Sequence, residues 1–173
     1  MNGVLRVAIL GAESSGKSTL AAALATHFGT VWVPEYLREF VDTYGRVPFE
    51  HEQYDIARTQ REREHAAKEA RRFLFCDTTP LMTAIYSRFY WGRVDEELGD
   101  LELAHDYAFT VVTAPDSPWV PDGLQRESEE VRQAVHRLEP DIEFVSLGAD
   151  PNGPHELPYL QTRVAARADF VSG

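Results

Sequence analysis

Gly11-Ala12-Glu13-Ser14-Ser15-Gly16-Lys17-Ser18 meets every position of the pattern G-x-x-x-x-G-K-[ST], the phosphate-binding loop. Its flanks agree with that reading. Before it, Val4-Leu5-Arg6-Val7-Ala8-Ile9-Leu10 is short, apolar and β-branched enough for a buried strand. After it, Thr19 to Phe28 is rich in helix formers, with Leu20, Leu24 and Phe28 on one stripe. In such a loop Gly11 and Gly16 let the backbone turn successive N–H groups inward, and the dipole of the following helix adds partial positive charge at the same point. Lys17 then reaches the β- and γ-phosphates and the Ser18 hydroxyl binds Mg²⁺, while Glu13, Ser14, Ser15 and Thr19 complete the nucleotide site.

A chain of 173 residues predicts one domain, residues 1–173, with a substantial core. No apolar run is long enough to span a bilayer, and the first strand breaks at Gly11, which argues against a secretory signal. Cys76 is the only cysteine and lies in an apolar run, so a reducing cytoplasm is the expected setting. The formal net charge of −11 argues against a protein that coats nucleic acid or anionic membrane. Small anions remain compatible with it, because a local loop, lysine and metal ion outweigh a distant field.

Strands and helices alternate along the rest of the chain. Thr30 to Val33 reads as a second strand ending at Pro34-Glu35-Tyr36, which places Glu35 on the same sheet rim as the phosphate loop. A helix is predicted over Leu37–Tyr44 and a longer, charged one over Glu50–Arg72. On the latter, Gln53 and Gln60 share a face, either as substrate-binding amides or as interface residues bonded to backbone or water. Phe73 to Asp77 is a third strand ending in an acid, positioned either to face the metal or to cap the helix that begins near Pro80. An acidic surface helix is expected over Arg93–Ala104 and a fourth strand over Tyr107–Thr113. Two prolines and a glycine make the stretch from Asp116 an irregular loop, predicted as a lid over about 116–128 that carries Trp119, Asp122 and Arg126. A helix from Ser128 to Leu138, a fifth strand over Asp141–Leu147 and a final helix from Glu156 to about Val171 complete the expectation. The class is therefore α/β, a three-layer phosphate-loop NTPase fold with a parallel five-stranded sheet covered on both faces. Analogy with phosphate-loop kinases implies the strand order 2-3-1-4-5.

Several activities are disfavoured by missing motifs. The chain has no Asn-Lys-x-Asp, no Asp-x-x-Gly after the third strand, no Leu-Ser-Gly-Gly-Gln, and little room for the extra helical domain of hexameric ATPases. A small-molecule kinase needs a base beside the acceptor hydroxyl, a metal carboxylate and a cation closing over the transferred phosphoryl. Glu35, Asp77 and Arg126 are placed for those three roles, with Lys17 on the phosphates.

Four motifs carry a family resemblance: Gly11 to Leu20, Glu-Tyr-x-Arg-Glu at Glu35–Glu39, Asp-Thr-Thr at Asp77–Thr79, and Pro-Trp-Val-x-Asp-Gly-Leu at Pro118–Leu124. Together they resemble the ribosylnicotinamide kinase domain of NadR-like proteins across nearly the whole chain. The resemblance implies ATP- and Mg²⁺-dependent phosphorylation of the 5′-hydroxyl of nicotinamide riboside, giving nicotinamide mononucleotide. The expected substrate site draws on Glu35, Tyr36, Arg38, Trp119 and Asp122 from these motifs and the lid, with Gln53 and Gln60 from the long helix. Pro34 departs from the family, which tends to carry an aromatic there for stacking on the nicotinamide ring, and Gln125 displaces the arginine at 126. A cationic pyridinium needs an aromatic face, for which Tyr36, Tyr86 and Trp119 are candidates. Two other readings stand beside the kinase: a nucleotide-gated regulatory module acting on a protein partner, and a deoxynucleoside or nucleotide kinase.

Overall fold

The computed structural model describes residues 3–115, 129–138, 145–148 and 159–162. Strand β1 (Leu5–Leu10) leads through the glycine-containing loop into helix α1 (Lys17–Phe28). Strand β2 (Trp32–Val33), helix α2 (Tyr36–Tyr44), a short 3₁₀ turn (Glu50–Glu52) and helix α3 (Gln53–Ala66) follow. Next come β3 (Phe73–Asp77), α4 (Pro80–Trp91), α5 (Glu96–Leu103), β4 (Phe109–Val112), α6 (Glu129–Leu138), β5 (Val145–Gly148) and β6 (Tyr159–Thr162). The first four strands form one parallel sheet in the order β2-β3-β1-β4. This matches the expected order for those strands.

Alternation along β1 divides the core into two layers, as the pleat requires. Val7 and Ile9 pack with Leu20, Ala21 and Ala25 of α1 and Phe75 of β3. Ala8 and Leu10 face the other way, onto Met82 and Ile85 of α4 and Val135 of α6. Helices therefore cover both faces. Left-handed glycines stop α1 at Gly29 and α4 at Gly92, and Pro80 opens α4 at the position where its missing N–H costs nothing.

Three expectations need correction. The fifth strand does not extend the parallel sheet beyond β4 among the described residues: it pairs antiparallel with β6, Val145 opposite Thr162. The final helix expected over 156–171 contains a strand, β6, near its start. Pro158 biases the residue before it toward extended backbone, and Tyr159 and Thr162 favour strand. The long helix over 50–72 is also shorter, opening as a 3₁₀ turn and ending at Ala66.

Near the amino ends of the strands, α3 buries a carboxylate. Glu64 has no exposed side-chain surface. Tyr107 donates to both its oxygens at 2.9 and 2.8 Å, with Arg6 and Arg61 at 3.6 and 3.7 Å. Burial still outweighs those partners and pushes the carboxyl up to about 7. A carboxyl that holds its proton more tightly when folded stabilises the fold below the ordinary carboxylate range, and that stability is lost as pH rises through 7. Comparing wild type with Glu64→Gln by denaturant unfolding should therefore shift the difference by about 3 kcal/mol in favour of the variant between pH 4.5 and 8. A pH-independent difference would contradict the raised carboxyl.

Candidate active site

The phosphate loop closes on a threonine from the neighbouring strand. Gly11 has φ +144°, Ser14 φ +57° and Gly16 φ +85°. At Gly11 an added Cβ would lie 2.2 Å from Thr113 Oγ1 and 2.8 Å from the Thr113 carbonyl oxygen. Glycine here is thus required both by conformation and by close approach to the end of β4. The Ser15 and Thr113 hydroxyls lie 2.5 Å apart, with the Ala12 carbonyl 2.6 Å from Ser15 Oγ and the Leu10 carbonyl 3.1 Å from Thr113 Oγ1, so one hydroxyl donates to its carbonyl and the other is free to donate across the pair. These bonds fix the loop from beneath and leave its upper side to the cavity. The Lys17 ammonium bends back onto the Ala12 carbonyl at 3.1 Å, within the loop that holds phosphate.

The parallel register pairs Ile9 with Asp77, so the last residue of β3 stands beside the loop. Ser18 donates to Asp77 Oδ2 at 2.5 Å, while Asp77 Oδ1 is buried with no hydrogen-bond partner among the described residues. Asp77 does not cap α4: Thr79 occupies the cap position, and no side chain bonds there. Magnesium takes hard oxygen donors, needs few from protein and shares the rest with phosphate and water. A hydroxyl and a buried carboxylate with an unpartnered oxygen fit that demand. The next residue, Thr78, has φ +69°, a strained value for a β-branched side chain, held by its N–H on the Ile9 carbonyl at 3.0 Å.

A cavity of about 630 Å³ spans the loop and the carboxyl ends of β2 and β3. Gly11, Glu13, Ser14, Ser15, Gly16, Lys17, Ser18, Thr19 and Asp77 line one half. Glu35 and Arg38 line the other, beside Trp32, Pro34, Met82 and Tyr86. Glu35 is the residue before α2, its side chain making no cap bond, and Arg38 follows three positions later on the same helical side. A small, mainly apolar cavity of about 30 Å³ opens beside it between α3 and α4, reached also by Glu35, Gln53, Gln60, Thr78 and Tyr86.

The two glutamines do different work. Gln60 accepts from the Tyr36 N–H at 2.8 Å and donates to the Asp77 carbonyl at 3.4 Å, tying the start of α2 to the end of β3. Gln53 donates to the Pro48 and Phe49 carbonyls at 3.4 and 3.3 Å. The Tyr36 ring does not line either cavity; it lies under the Arg63 guanidinium, 4.5 Å from its centroid, and packs with Phe40 and Val41. The lid, with Trp119, Asp122 and Arg126, lies outside the described residues.

Residues not singled out from the sequence also reach the site. Trp32 lies two positions before Pro34, and a strand places i and i+2 on one face, so the aromatic surface sits one pleat earlier than the family pattern suggests. Arg132 on α6 is fully buried, with its guanidinium 3.0 Å from Glu129 and 3.4 Å from the Ser14 carbonyl of the loop. Nothing in the periodicity of α6 marked it.

Two substitutions probe this geometry. Gly11→Ala should weaken binding of a non-hydrolysable ATP analogue by about 10- to 100-fold, or about 1.4 to 2.8 kcal/mol, in titration calorimetry. Asp77→Asn should leave metal-free analogue binding unchanged and weaken the gain on adding Mg²⁺ by about 10- to 100-fold. Equal affinities across a magnesium titration would remove Asp77 from the metal.

Comparison with known proteins bears on the family and the fold. The family model described as "AAA domain" matches residues 6–141. The trifunctional NAD biosynthesis/regulator proteins NadR of Salmonella typhimurium (strain LT2) and Escherichia coli (strain K12) are 34% and 33% identical, each over 83% of this chain and 38% of their own length. The chain thus spans about two fifths of these curated relatives. A crystal structure of NadR in complex with NR superposes with a TM-score of 0.69 at 21% identity, covering 87% of this chain and 47% of that one. Another, in complex with NAD and AMP-PNP, gives 0.62 at 20% identity, covering 78% and 39%. By the family match over its phosphate-loop core, this chain belongs to the AAA domain family and carries the NadR-like phosphate-loop fold read from its sequence.

Proposed function

We propose that the chain is an ATP-dependent nucleoside kinase whose acceptor is nicotinamide riboside, phosphorylated on its 5′-hydroxyl to nicotinamide mononucleotide. The observation that carries this reading is the shared cavity: a phosphate loop with its Ser18–Asp77 pair on one side, and a half-buried carboxylate, Glu35, on the other with room for an acceptor. The names of the similar proteins support it, one solved with NR and one with NAD and AMP-PNP.

In this reading the inward N–H groups of the loop and the amino end of α1 hold the ATP phosphates. Lys17 exchanges the Ala12 carbonyl for phosphate oxygens, gaining a stronger charge-assisted bond. Ser18 and Asp77 would hold Mg²⁺, which when bound neutralises charge on the transferring phosphoryl group. Glu35 accepts the proton of the acceptor 5′-hydroxyl as its oxygen attacks the γ-phosphorus and the bond to the β-phosphate oxygen breaks. Arg38 sits beside it to balance the negative charge that gathers there. Trp32 offers a π face, and Glu13, Glu35 and Asp77 supply negative charge around the cavity, a setting that suits a pyridinium cation. Among the described residues no helix is long and apolar enough to cross a membrane.

Turnover of wild type and Glu35→Gln with ATP, Mg²⁺ and a panel of nucleosides tests the reading. Nicotinamide riboside should accelerate ADP release well above intrinsic hydrolysis. The variant should lose about 10² to 10⁴ in kcat while keeping its affinity for an ATP analogue. If no nucleoside accelerates release, the nucleotide-gated regulatory reading takes its place; a preference for deoxynucleosides or nucleotides would reassign the acceptor.

A further inference from the structure

Tyr86 is a group that neither the loop chemistry nor the glutamine clamp uses. It projects from α4 one turn after Met82, and both residues line the large cavity and the small one. Its ring is fixed in place, stacked on Tyr90 with centroids 6.2 Å apart and planes at 15°, and packed against the apolar cluster around Leu10 and Met82. Its hydroxyl oxygen is nevertheless buried: the Glu13 backbone N–H is turned toward it, and no acceptor for its proton stands within hydrogen-bond distance among the described residues. Buried polar groups normally use their hydrogen-bonding capacity, and a buried O–H with no acceptor at the junction of two cavities is a donor held ready for a ligand.

The chemistry of that ligand follows from what stands around it. Burial, with the Glu13 and Glu35 carboxylates nearby, raises the phenol well above its ordinary range, so it meets the ligand as an O–H donor. Its partner is therefore an oxygen acceptor. Glu35 lines the same two cavities and, under the function proposed above on which this inference rests, faces the hydroxyl that is phosphorylated. A group that reaches Tyr86 beside Glu35 belongs to the same sugar as the reacting hydroxyl.

We propose that Tyr86 reads a ring hydroxyl of the acceptor pentose, and so makes this site selective for ribosides over deoxyribosides. A site built to bond a substrate hydroxyl discriminates strongly against the analogue that lacks it, because its own polar group is then left buried and unsatisfied. Binding to the reacting hydroxyl alone would give no such selectivity.

The test compares kcat/KM of wild type and Tyr86→Phe for nicotinamide riboside and its 2′-deoxy and 3′-deoxy analogues. Wild type should prefer the riboside by about 10-fold or more over at least one analogue, and the substitution should bring that ratio to within about 2-fold of one. A ratio unchanged by the substitution overturns the proposal. Phenylalanine preserves the ring and its stack on Tyr90, and a second readout needs no variant activity. In protein labelled at tyrosine Cζ, the Tyr86 resonance, assigned by its loss in Tyr86→Phe, should move on adding the riboside and not with the analogue that wild type disfavours. If wild type phosphorylates no nucleoside, the proposed function itself fails. Calorimetric binding of the riboside to both proteins then decides the role of Tyr86: a loss of 10-fold or more in the variant supports it, and equal affinities, including no binding to either, overturn it.

Discussion

The pairing of β1 with β3 is the constraint on which the site depends. Its register sets Ile9 opposite Asp77, and with the loop continuing from β1 this brings the Asp77 carboxylate to 2.5 Å from the Ser18 hydroxyl. A slip of one residue would turn Asp77 to the opposite face of the sheet and bury it in an apolar layer, where an unpaired charge is very costly. The hydrophobic alternation of both strands forbids that slip, since it would also bring Val7 and Ile9 away from α1. Core packing therefore fixes where Ser18 and Asp77 stand relative to each other. The left-handed Thr78 follows from the same register: its N–H bonds the Ile9 carbonyl, and the chain must turn sharply there to enter α4.

The acceptor side is held to the same frame by one amide. Gln60 bonds the Tyr36 N–H with its oxygen and the Asp77 carbonyl with its nitrogen, so α2, β3 and α3 meet at a single side chain. Glu35, immediately before Tyr36, inherits its place from this clamp. The position of the proposed base is thus coupled to that of the metal carboxylate through two hydrogen bonds, and both carboxylates sit on rigid elements on opposite sides of one cavity. Such support keeps a reacting pair in register without a dedicated contact between them.

How much of this was legible depended on the range of the signal. The loop, its flanking strand and helix, and the acid ending β3 are local patterns, and each appears where its spacing places it. Gln60 was legible as a buried amide, but its partners were not, because a backbone N–H on α2 and a carbonyl on β3 come together only through tertiary folding. Trp32 reads in the sequence only as a strand residue, although the period of a strand places it on one face with position 34. Tyr86 sits in an apolar run of α4 and reads there as core, which its ring is; that its buried hydroxyl lacks an acceptor among the described residues shows only in three dimensions. The final helix failed for a local reason, since Pro158 favours extended backbone before it and the β-favouring Tyr159 and Thr162 follow.

The charge of the site resolves an apparent conflict with composition. A net charge of −11 would repel a polyphosphate if it acted at long range, but at physiological ionic strength fields between exposed charges decay over about 8 Å. What a phosphate meets is local: the loop N–H groups and Lys17. The buried Arg132 guanidinium supports the loop from behind, against the Ser14 carbonyl and paired with Glu129. Carboxylates line both halves of the cavity, Glu13 and Asp77 beside the loop and Glu35 opposite, with Lys17 and Arg38 as the cations among its lining. Under the proposed function, an anionic acceptor entering on the far side would meet the Glu35 carboxylate, so this lining suits a pyridinium nucleoside better than a nucleotide already carrying phosphate.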